Sequence, residues 1–229
     1  MLQELYGKLP KPMQNEAVLP YLTLLNRKKT VLFFKRGFDL VVSVILIVVL
    51  SPFLLGAVIA VKAGSRGPVI YRQTRVGKNG KLFSMYKFRT MVVDAERLGT
   101  KVTVGTDDPR ITRTGKFLRR TRIDEFPQFF NVLKGDMSLI GPRPEVQQYV
   151  DAYEPEYYAT LLIRPGITSN TSIAFSNEGE RLAGQEDPDA YYIHTLLPEK
   201  MELNLSYVRE LSLWNDVKIF FATIANVFR

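Results

Sequence analysis

The chain has 229 residues, of which 46% are hydrophobic and 24% are charged, enough for one globular domain and an accessory segment. It has no cysteine and one histidine, His194, which excludes disulfides and thiolate nucleophiles and disfavours a histidine triad or a zinc cluster. The net charge of +8 is unevenly spread: residues 1–71 carry +6, residues 72–122 carry +10 and residues 123–229 carry −8. The basic middle segment indicates an anionic partner, namely a membrane surface, a phosphorylated small molecule or nucleic acid.

The first 29 residues contain three prolines and show no sustained hydrophobic period, which predicts an irregular N-terminal extension over residues 1–29. This segment does not resemble a secretory signal peptide, because the apolar run comes too late and no small-residue cleavage site follows it closely. Basic residues then lead to the apolar run: Arg27, Lys28, Lys29, Lys35 and Arg36.

An uncharged run of 22 residues, Leu40 to Val61, has the length of a membrane-spanning helix. Ser51 and Pro52 lie at its midpoint, where the proline removes a backbone hydrogen bond, and basic residues flank both ends. These features favour a re-entrant membrane helix-break-helix over residues 30–66 that enters one leaflet and returns, with Ser51 satisfying a carbonyl freed at the break. A proline-kinked single span and a buried core helix are the alternatives.

Two strands are predicted after this segment, Val69–Gln73 and Leu82–Met91, joined by a hairpin-like turn at Gly77–Lys81. Lys87 and Arg89 are two residues apart on the second strand, so their side chains point to the same face. Two cations on one face can grip a diphosphate, although a solvated edge strand shows the same pattern.

A short helix is predicted at residues 92–101 and a basic helix with a narrow apolar stripe at residues 109–122. Basic helices of this kind lie on membrane surfaces or on anionic ligands, and many are simply solvated faces.

An acidic pair, Asp124 and Glu125, follows the basic helix and precedes a Pro-Arg-Pro turn that contains Arg143. The neighbouring arginines are expected to hold both carboxylates ionised, which predicts a reactive acidic pair in a phosphate-binding pocket. The alternative is an N-capping Asp with a first-turn Glu, ahead of a helix that begins near Pro127 and ends at Gly135.

Beyond residue 144 the sequence predicts a helical stretch at residues 145–162, a turn at Arg164–Ser169, and helices at Leu197–Leu211 and Leu213–Phe228. The last helix has an apolar stripe that either packs on the core or rests at a membrane interface. Together these elements predict an α+β, predominantly helical fold. Its compact cytosolic catalytic domain, residues 67–229, would contain a small β-hairpin or sheet and amphipathic interfacial helices.

Several motifs follow one another in a specific order: KRGFD at Lys35–Asp39, the apolar run broken at Ser51-Pro52, YRQTRVGKNGK, YKFRTM, GKFLRRTRIDEFPQFFNVLKGDMSLIGPRP, RPGIT and YVRELSLWNDVKIF. With these motifs, the chain from about Phe33 onwards resembles the small monotopic phosphoglycosyl transferases, bacterial sugar transferases that start glycan assembly on a polyprenol phosphate carrier. After RPGIT that family often continues with Gly, an aromatic residue and Gln, whereas this chain has Ser169, Asn170, Thr171 and Ser172.

The resemblance implies a two-step reaction. The Asp124 carboxylate would attack the β-phosphate of a UDP-sugar and release UMP, and polyprenol (undecaprenyl) phosphate would then take the sugar phosphate from the covalent intermediate. Glu125 would assist as a base or by orienting the acceptor, and Mg²⁺, held by Asp124 and Glu125, would offset the diphosphate charge. The implied phosphate contacts are Lys87, Arg89, Arg119 and Arg143.

The implied partners are a UDP-sugar, the lipid phosphate and membrane lipids, with no nucleic acid and a possible homodimer. The implied location is the bacterial inner (plasma) membrane, with the catalytic domain on the cytoplasmic face. Because the multi-span N-terminal region of larger relatives does not precede the match, the chain is expected to be close to a minimal catalytic unit. The alternatives are an enzyme of the same fold that uses another nucleotide diphosphate or lipid phosphate, and a non-enzymatic basic scaffold on the membrane.

Overall fold

A computed structural model describes residues 2–95 and 108–227. The helices are α1 (Leu2–Gly7), α2 (Leu19–Arg27), α3 (Lys29–Gly64), α4 (Arg113–Arg120), α5 (Gln128–Lys134), α6 (Gln147–Val150), α7 (Asn170–Ala174), α8 (Glu178–Ala183), α9 (Pro188–Tyr191), α10 (Leu197–Arg209) and α11 (Leu213–Val227). The strands are β1 (Ile70–Val76), β2 (Leu82–Phe88), β3 (Ser138–Ile140) and β4 (Gly166–Thr168). This architecture confirms the predominantly helical fold with small sheets. The helix predicted at residues 92–101 and the Phe228 end of the last helix lie largely or wholly outside the described residues.

Two small sheets hold the segments that carry the motifs. β1 and β2 form the predicted antiparallel hairpin, with Tyr71 opposite Lys87. The second sheet was not predicted: β3 and β4 are parallel, with Ser138 opposite Gly166. This pairing places the GPRP segment that follows β3 beside the RPGIT segment that contains β4.

α3 is a continuous helix of 36 residues with Pro52 inside it. The predicted break at Ser51-Pro52 is therefore corrected to an unbroken helix. Proline cannot donate to the carbonyl four residues earlier, and here the Ser51 hydroxyl donates to that carbonyl, Val48 O, at 2.8 Å. Ser51 thus has the hydrogen-bonding role predicted for it. By length and composition alone α3 could cross a membrane, and only 11% of its most apolar 18-residue window is buried.

Buried polar contacts fasten the first half of α3 to the globular domain. Lys35 Nζ lies 2.6 Å from Asp216 Oδ2, and the Tyr207 hydroxyl donates to the other carboxylate oxygen of Asp216 at 2.7 Å. One turn further along α3, Asp39 accepts a hydrogen bond of 2.6 Å from Ser138 Oγ. The KRGFD motif therefore joins α3 to β3 and α11.

The second half of α3 packs on the same domain. Ala57 and Val61 are buried in a small cluster with Phe88 and Leu118, and the Thr114 hydroxyl donates to the Ala60 carbonyl at 3.5 Å. The opposite face of α3 exposes apolar side chains along its whole length: Phe33, Phe34, Phe38, Val41, Val44, Ile45, Val48, Val49, Leu55, Val58 and Ile59. One face of α3 thus rests on protein while the other is uncovered.

The basic side chain of Arg36 caps a neighbouring helix. Its Nη1 donates to Val132 O, near the end of α5, at 2.8 Å, and Arg164 Nε donates to Gly135 O at 2.8 Å. Cations at a helix C-terminus interact favourably with the helix dipole. α5 is therefore held at its end by α3 and by the segment that precedes β4.

The first 29 residues are not an irregular extension, because they contain α1 and α2. Pro20 stands in the first turn of α2, where its missing N–H is not needed, so it starts a helix instead of interrupting one. Lys28 Nζ also donates to the carbonyls of Arg209 and Leu211 at the end of α10. The segment supplies five side chains to the main core: Leu9, Met13, Val18, Tyr21 and Leu25.

The last helix, α11, packs on the core through part of its apolar stripe, and its placement at a membrane interface stays a prediction. Ile219 is buried in the main core and Phe220 packs against it. Trp214, Phe221 and Ile224 are exposed, and Trp214 retains 67% of its accessible surface.

Asp216→Asn is expected to lower the free energy of unfolding by about 3–5 kcal/mol, because it leaves the buried Lys35 ammonium under-compensated. The matched control is Glu199→Gln, which removes the partner of Arg181 at a half-exposed position (side chain 47% exposed) and is expected to cost under about 1 kcal/mol. Chemical unfolding in detergent micelles measures both, and equal losses would contradict the anchoring role.

Candidate active site

The acidic pair lies in a short turn between two helices. α4 starts at a capped end, where the Thr112 hydroxyl accepts a hydrogen bond from Gly115 N at 2.9 Å. After α4, Arg122 has a left-handed backbone (φ 57°), which turns the chain into the 3₁₀ turn Ile123–Glu125. A non-glycine residue in this region costs about 1–3 kcal/mol, so the surrounding packing must hold it.

The Asp124 side chain does not cap α5. That helix begins at Gln128, and its N-cap position is Pro127, which has no side-chain capping bond. The alternative of an N-capping aspartate is therefore not what the structure shows.

Glu125 is fixed by two cations. Its Oε1 lies 2.8 Å from Lys87 Nζ and 3.3 Å from Arg143 Nη2. Burial alone would raise the pKa of Glu125, but Lys87 and Arg143 outweigh burial and hold that pKa well below its ordinary value. Glu125 is therefore ionised at any physiological pH.

Asp124 has a different electrostatic environment. It is 7% exposed, and within residues 2–95 and 108–227 its carboxylate forms no hydrogen bond or ion pair. Burial, together with the negative charge of Glu125, raises the pKa of Asp124 to about 6 despite the opposing charge of Lys87. Both carboxylates are therefore mainly ionised at neutral pH, as predicted, but burial makes Asp124 much easier to protonate than Glu125.

Three of the four predicted phosphate contacts lie around the acidic pair. Lys87 and Arg143 contact Glu125, and the positive charge of Arg119 opposes the rise in the pKa of Asp124. Arg119 Nε donates to Thr90 Oγ1 at 2.8 Å, which orients its guanidinium. The site thus surrounds two carboxylates with several cations and has an excess of positive charge.

The fourth predicted phosphate contact, Arg89, donates to backbone carbonyls and makes no contact with the acidic pair in the described residues. Its Nη2 donates to Ser65 O at 2.9 Å and its Nη1 donates to Arg66 O, at the C-terminal end of α3. Arg89 borders the same cavity as the acidic pair. Because two guanidinium nitrogens are already engaged, its geometry favours anchoring the end of α3 over binding phosphate.

Close packing between the backbones of the GPRP and RPGIT segments fixes the position of Arg143. A Cβ added to Gly141 would lie 2.6 Å from Arg164 O, and one added to Gly166 would lie 2.2 Å from Gly141 N, so only glycine fits at both positions. Gly166 N also donates to the carbonyl of Pro142 at 2.9 Å. The turn between the two prolines is thereby held against the RPGIT segment.

A second group of buried charges supports this turn and was missed from the sequence. Glu145, next to Pro144, lies 3.1 Å from Lys200 Nζ and accepts a hydrogen bond of 2.7 Å from the Tyr192 hydroxyl. Lys200 also pairs with Glu178 at 3.0 Å. The position of Glu145 directly after the Pro-Arg-Pro turn was the one available signal, since Lys200 lies far away in sequence.

A cavity of about 2100 Å³ contains the acidic pair. The lining includes polar residues from β1, β2, α4 and the segments after β4. It also includes apolar residues of α3 and α11: Leu46, Leu50, Phe53, Phe220 and Ile224. Ser51 and Pro52 are exposed on the outward face of α3 and do not line the cavity. A ligand with a charged head and an apolar tail matches these two kinds of wall.

The available donor groups determine whether the predicted Mg²⁺ fits the site. No group of three acidic, histidine or cysteine side chains that could hold a metal lies within the part of the chain that the structure describes. Mg²⁺ is commonly held by one or two carboxylates together with substrate phosphates. The Asp124 carboxylate, which has no hydrogen-bond or ion-pair partner in residues 2–95 and 108–227, fits that arrangement, whereas Glu125 Oε1 already faces two cations.

Comparison with known proteins assigns the family. The family model described as bacterial sugar transferase matches residues 30–229. An Aeromonas hydrophila protein named UDP-N-acetylgalactosamine-undecaprenyl-phosphate N-acetylgalactosaminephosphotransferase is 41% identical over 198 residues, which cover 85% of this chain and 44% of that protein. An Escherichia coli (strain K12) protein named UDP-glucose:undecaprenyl-phosphate glucose-1-phosphate transferase is 39% identical over 199 residues, which cover 85% of this chain and 40% of the relative.

A Salmonella typhimurium (strain LT2) protein named undecaprenyl-phosphate galactose phosphotransferase is 35% identical over 218 residues, which cover 88% of this chain and 42% of the relative. The chain spans less than half the length of these three relatives. The matched region contains α3, both sheets, the acidic turn and the Pro-Arg-Pro turn, and it confirms the resemblance drawn from the motifs. The chain therefore belongs to the bacterial sugar transferase family.

Proposed function

We propose that the protein transfers a sugar-1-phosphate from a UDP-sugar to a membrane polyprenol phosphate, which yields a polyprenyl diphosphosugar and UMP. The observation that carries the proposal is an acidic pair with divided roles in a cationic cavity: Glu125 is fixed by two cations, while the Asp124 carboxylate is unpaired within the described residues. The names of the relatives, which combine undecaprenyl phosphate with three different sugars, support the substrate classes. A non-enzymatic scaffold would not need an unpaired carboxylate in such a cavity.

In the first step, an Asp124 carboxylate oxygen attacks the β-phosphorus of the donor. The bond from that phosphorus to the oxygen bridging the two phosphates breaks, and UMP leaves with the bridging oxygen. Lys87 and Arg143 each have N–H groups beyond those directed at Glu125, so they can also bind the β-phosphate. Positioned cations of this kind stabilise the charge that develops in phosphoryl transfer.

In the second step, a phosphate oxygen of the polyprenol phosphate attacks the phosphorus held on Asp124. The bond to the aspartate oxygen breaks and the carboxylate is regenerated. Because its pKa is lowered, Glu125 is a poor proton acceptor at neutral pH. Its proposed role is therefore to orient Lys87 and Arg143, and an ionised acceptor phosphate needs no general base.

Mg²⁺ remains part of the proposal. The Asp124 carboxylate and the phosphate oxygens of the donor would hold it, and the ion would offset the charge of the diphosphate. The cations around the acidic pair already repel a free metal ion, so binding together with the nucleotide is favoured.

The packing of α3 supports a monotopic placement, with both ends of the unbroken helix on the same side of the membrane. Lys35 in its first half and Val61 in its second half contact the same globular domain. A helix that crossed a bilayer would have its ends about 30 Å apart on opposite sides, where one domain outside the membrane could not contact both. We place the domain on the cytoplasmic face of the bacterial inner membrane, with the outward face of α3 in one leaflet. A homodimer remains a prediction.

Asp124→Asn is expected to reduce UMP release from a UDP-sugar by at least about 10³-fold, with or without polyprenol phosphate, because the nucleophile of the first step is lost. The matched control is Asp151→Asn, at an exposed carboxylate that contacts Gln147 outside the cavity and should leave the rate unchanged. Release of UMP by purified protein in detergent measures both variants. Normal release by Asp124→Asn would remove Asp124 from the nucleophilic role.

The rate of the first step is expected to rise with pH, with a midpoint near pH 6, and to level off above about pH 7. Because the pKa of Asp124 is about 6, its protonated and unreactive form predominates below that pH. Glu125→Gln removes the negative neighbour that raises this pKa, so the midpoint of the remaining activity should move to lower pH. Single-turnover UMP release between pH 4.5 and 8 measures the shift, and a midpoint that is the same in both proteins would contradict the coupling.

Cysteine substitutions at Arg27 and Arg72 are expected to react alike with a membrane-impermeant reagent, because these positions flank α3 on one side of the bilayer. The absence of native cysteine makes single-site labelling specific. Labelling in intact cells and in permeabilised cells gives the comparison. Opposite accessibility at the two positions would establish a spanning helix.

A further inference from the structure

The cavity lining contains both cationic and acidic side chains. Arginines at and around α4 belong to it: Arg110, Arg119, Arg120 and Arg122. Residues of α7 and of the start of α8 belong to it as well, and there Glu178 is paired with Lys200 at 3.0 Å. A diphosphate is attracted to the arginines around the acidic turn. A neutral sugar attached to the β-phosphate needs no cation and can occupy the part of the cavity that α7 and α8 line.

Arg143 links the acidic turn to α7. Its Nη2 lies 3.3 Å from Glu125 Oε1, and its Nη1 lies 3.5 Å from Ser172 Oγ. A single guanidinium group thus separates Glu125 from the hydroxyl of Ser172. A sugar on a phosphate bound at Arg143 would meet this hydroxyl first.

Asn177 adds a second hydrogen-bonding group on the same wall. It occupies the N-cap position of α8, where asparagine usually accepts a backbone hydrogen bond, but its side chain makes no such bond. Its amide has no hydrogen-bond partner in the described ranges, and it lines the cavity. An amide offers both a donor and an acceptor, which suits the hydroxyl groups of a sugar.

We propose that Ser172 and Asn177 bind hydroxyl groups of the donor sugar and determine which UDP-sugar the protein accepts. The inference rests on the proposed function. Relatives with 35–41% identity to this chain have names that specify N-acetylgalactosamine, glucose and galactose, so the residues that select the sugar should lie outside the shared motifs. Ser172 belongs to the Ser169–Ser172 segment, where this chain departs from the usual pattern after RPGIT.

The test compares UMP release from UDP-glucose, UDP-galactose and UDP-N-acetylgalactosamine by wild type, Ser172→Ala, Asn177→Ala and the double variant. The ratio of kcat/KM between the best and the poorest of these donors is expected to change at least about 10-fold in the double variant, because a hydrogen-bonding site discriminates strongly between donors that do and do not match it. Inhibition by UMP, which lacks the donor sugar, should stay unchanged. The matched control, Ser206→Ala on α10, lies outside the cavity lining and should keep the wild-type ratios.

Two outcomes would overturn the inference and can be told apart. If wild type releases UMP but the variants lose activity equally towards all three donors, or lose none, then Ser172 and Asn177 do not select the sugar while the proposed function stands. If wild type releases no UMP from any UDP-sugar with polyprenol phosphate and Mg²⁺ present, the proposed function fails and the inference fails with it.

Discussion

The double ion pair of Glu125 is the interaction on which the candidate site depends. Lys87 lies 38 residues before Glu125 in the chain and Arg143 lies 18 residues after it, so one carboxylate joins the hairpin, the acidic turn and the Pro-Arg-Pro turn. Separating a buried charged pair is costly because each charge is then left uncompensated. The three segments are therefore held together firmly at Glu125. The same arrangement sets the chemistry, because the fixed negative charge of Glu125 helps to raise the pKa of its neighbour Asp124.

The two halves of α3 are attached to the domain by different kinds of contact. Buried charges and hydroxyl groups hold the first half, through Lys35 and Asp39, whereas small apolar side chains hold the second half, through Ala57 and Val61. Polar contacts specify rotation and register, while apolar contacts tolerate small displacements. Between the two attachments, Leu46, Leu50 and Phe53 border the cavity, so the apolar helix forms part of the wall around the charged site.

Much of the local structure could be predicted from the sequence because its signals are short-range. The hairpin follows from strand composition and a glycine turn, and the stiff presentation of Arg143 follows from its two prolines. The pairing of β3 with β4 could not be predicted, since each strand has three residues and the pairing is non-local. The difference in pKa between Asp124 and Glu125 could not be predicted either, because it depends on how deeply each carboxyl group is buried and on which cations lie beside it in the folded chain. At Pro20 and Pro52 the sequence wrongly predicted an interruption of helical structure. Pro20 lies in the first turn of α2, where its missing N–H is not needed, and at Pro52 the Ser51 hydroxyl donates to the carbonyl that the proline cannot reach.

The capping of α5 by Arg36 has a mechanical consequence. Arg36 belongs to α3, and α5 begins a few residues after the acidic turn, so a seven-residue helix connects the apolar helix to Asp124. Displacement of α3 would be transmitted along α5 to the Asp124 carboxylate. In a bilayer, the position of α3 would depend on how well its apolar length matches the thickness of the hydrocarbon layer. Under the proposed function, the acyl-chain length of the surrounding lipid would thus influence turnover, even when the acceptor is abundant.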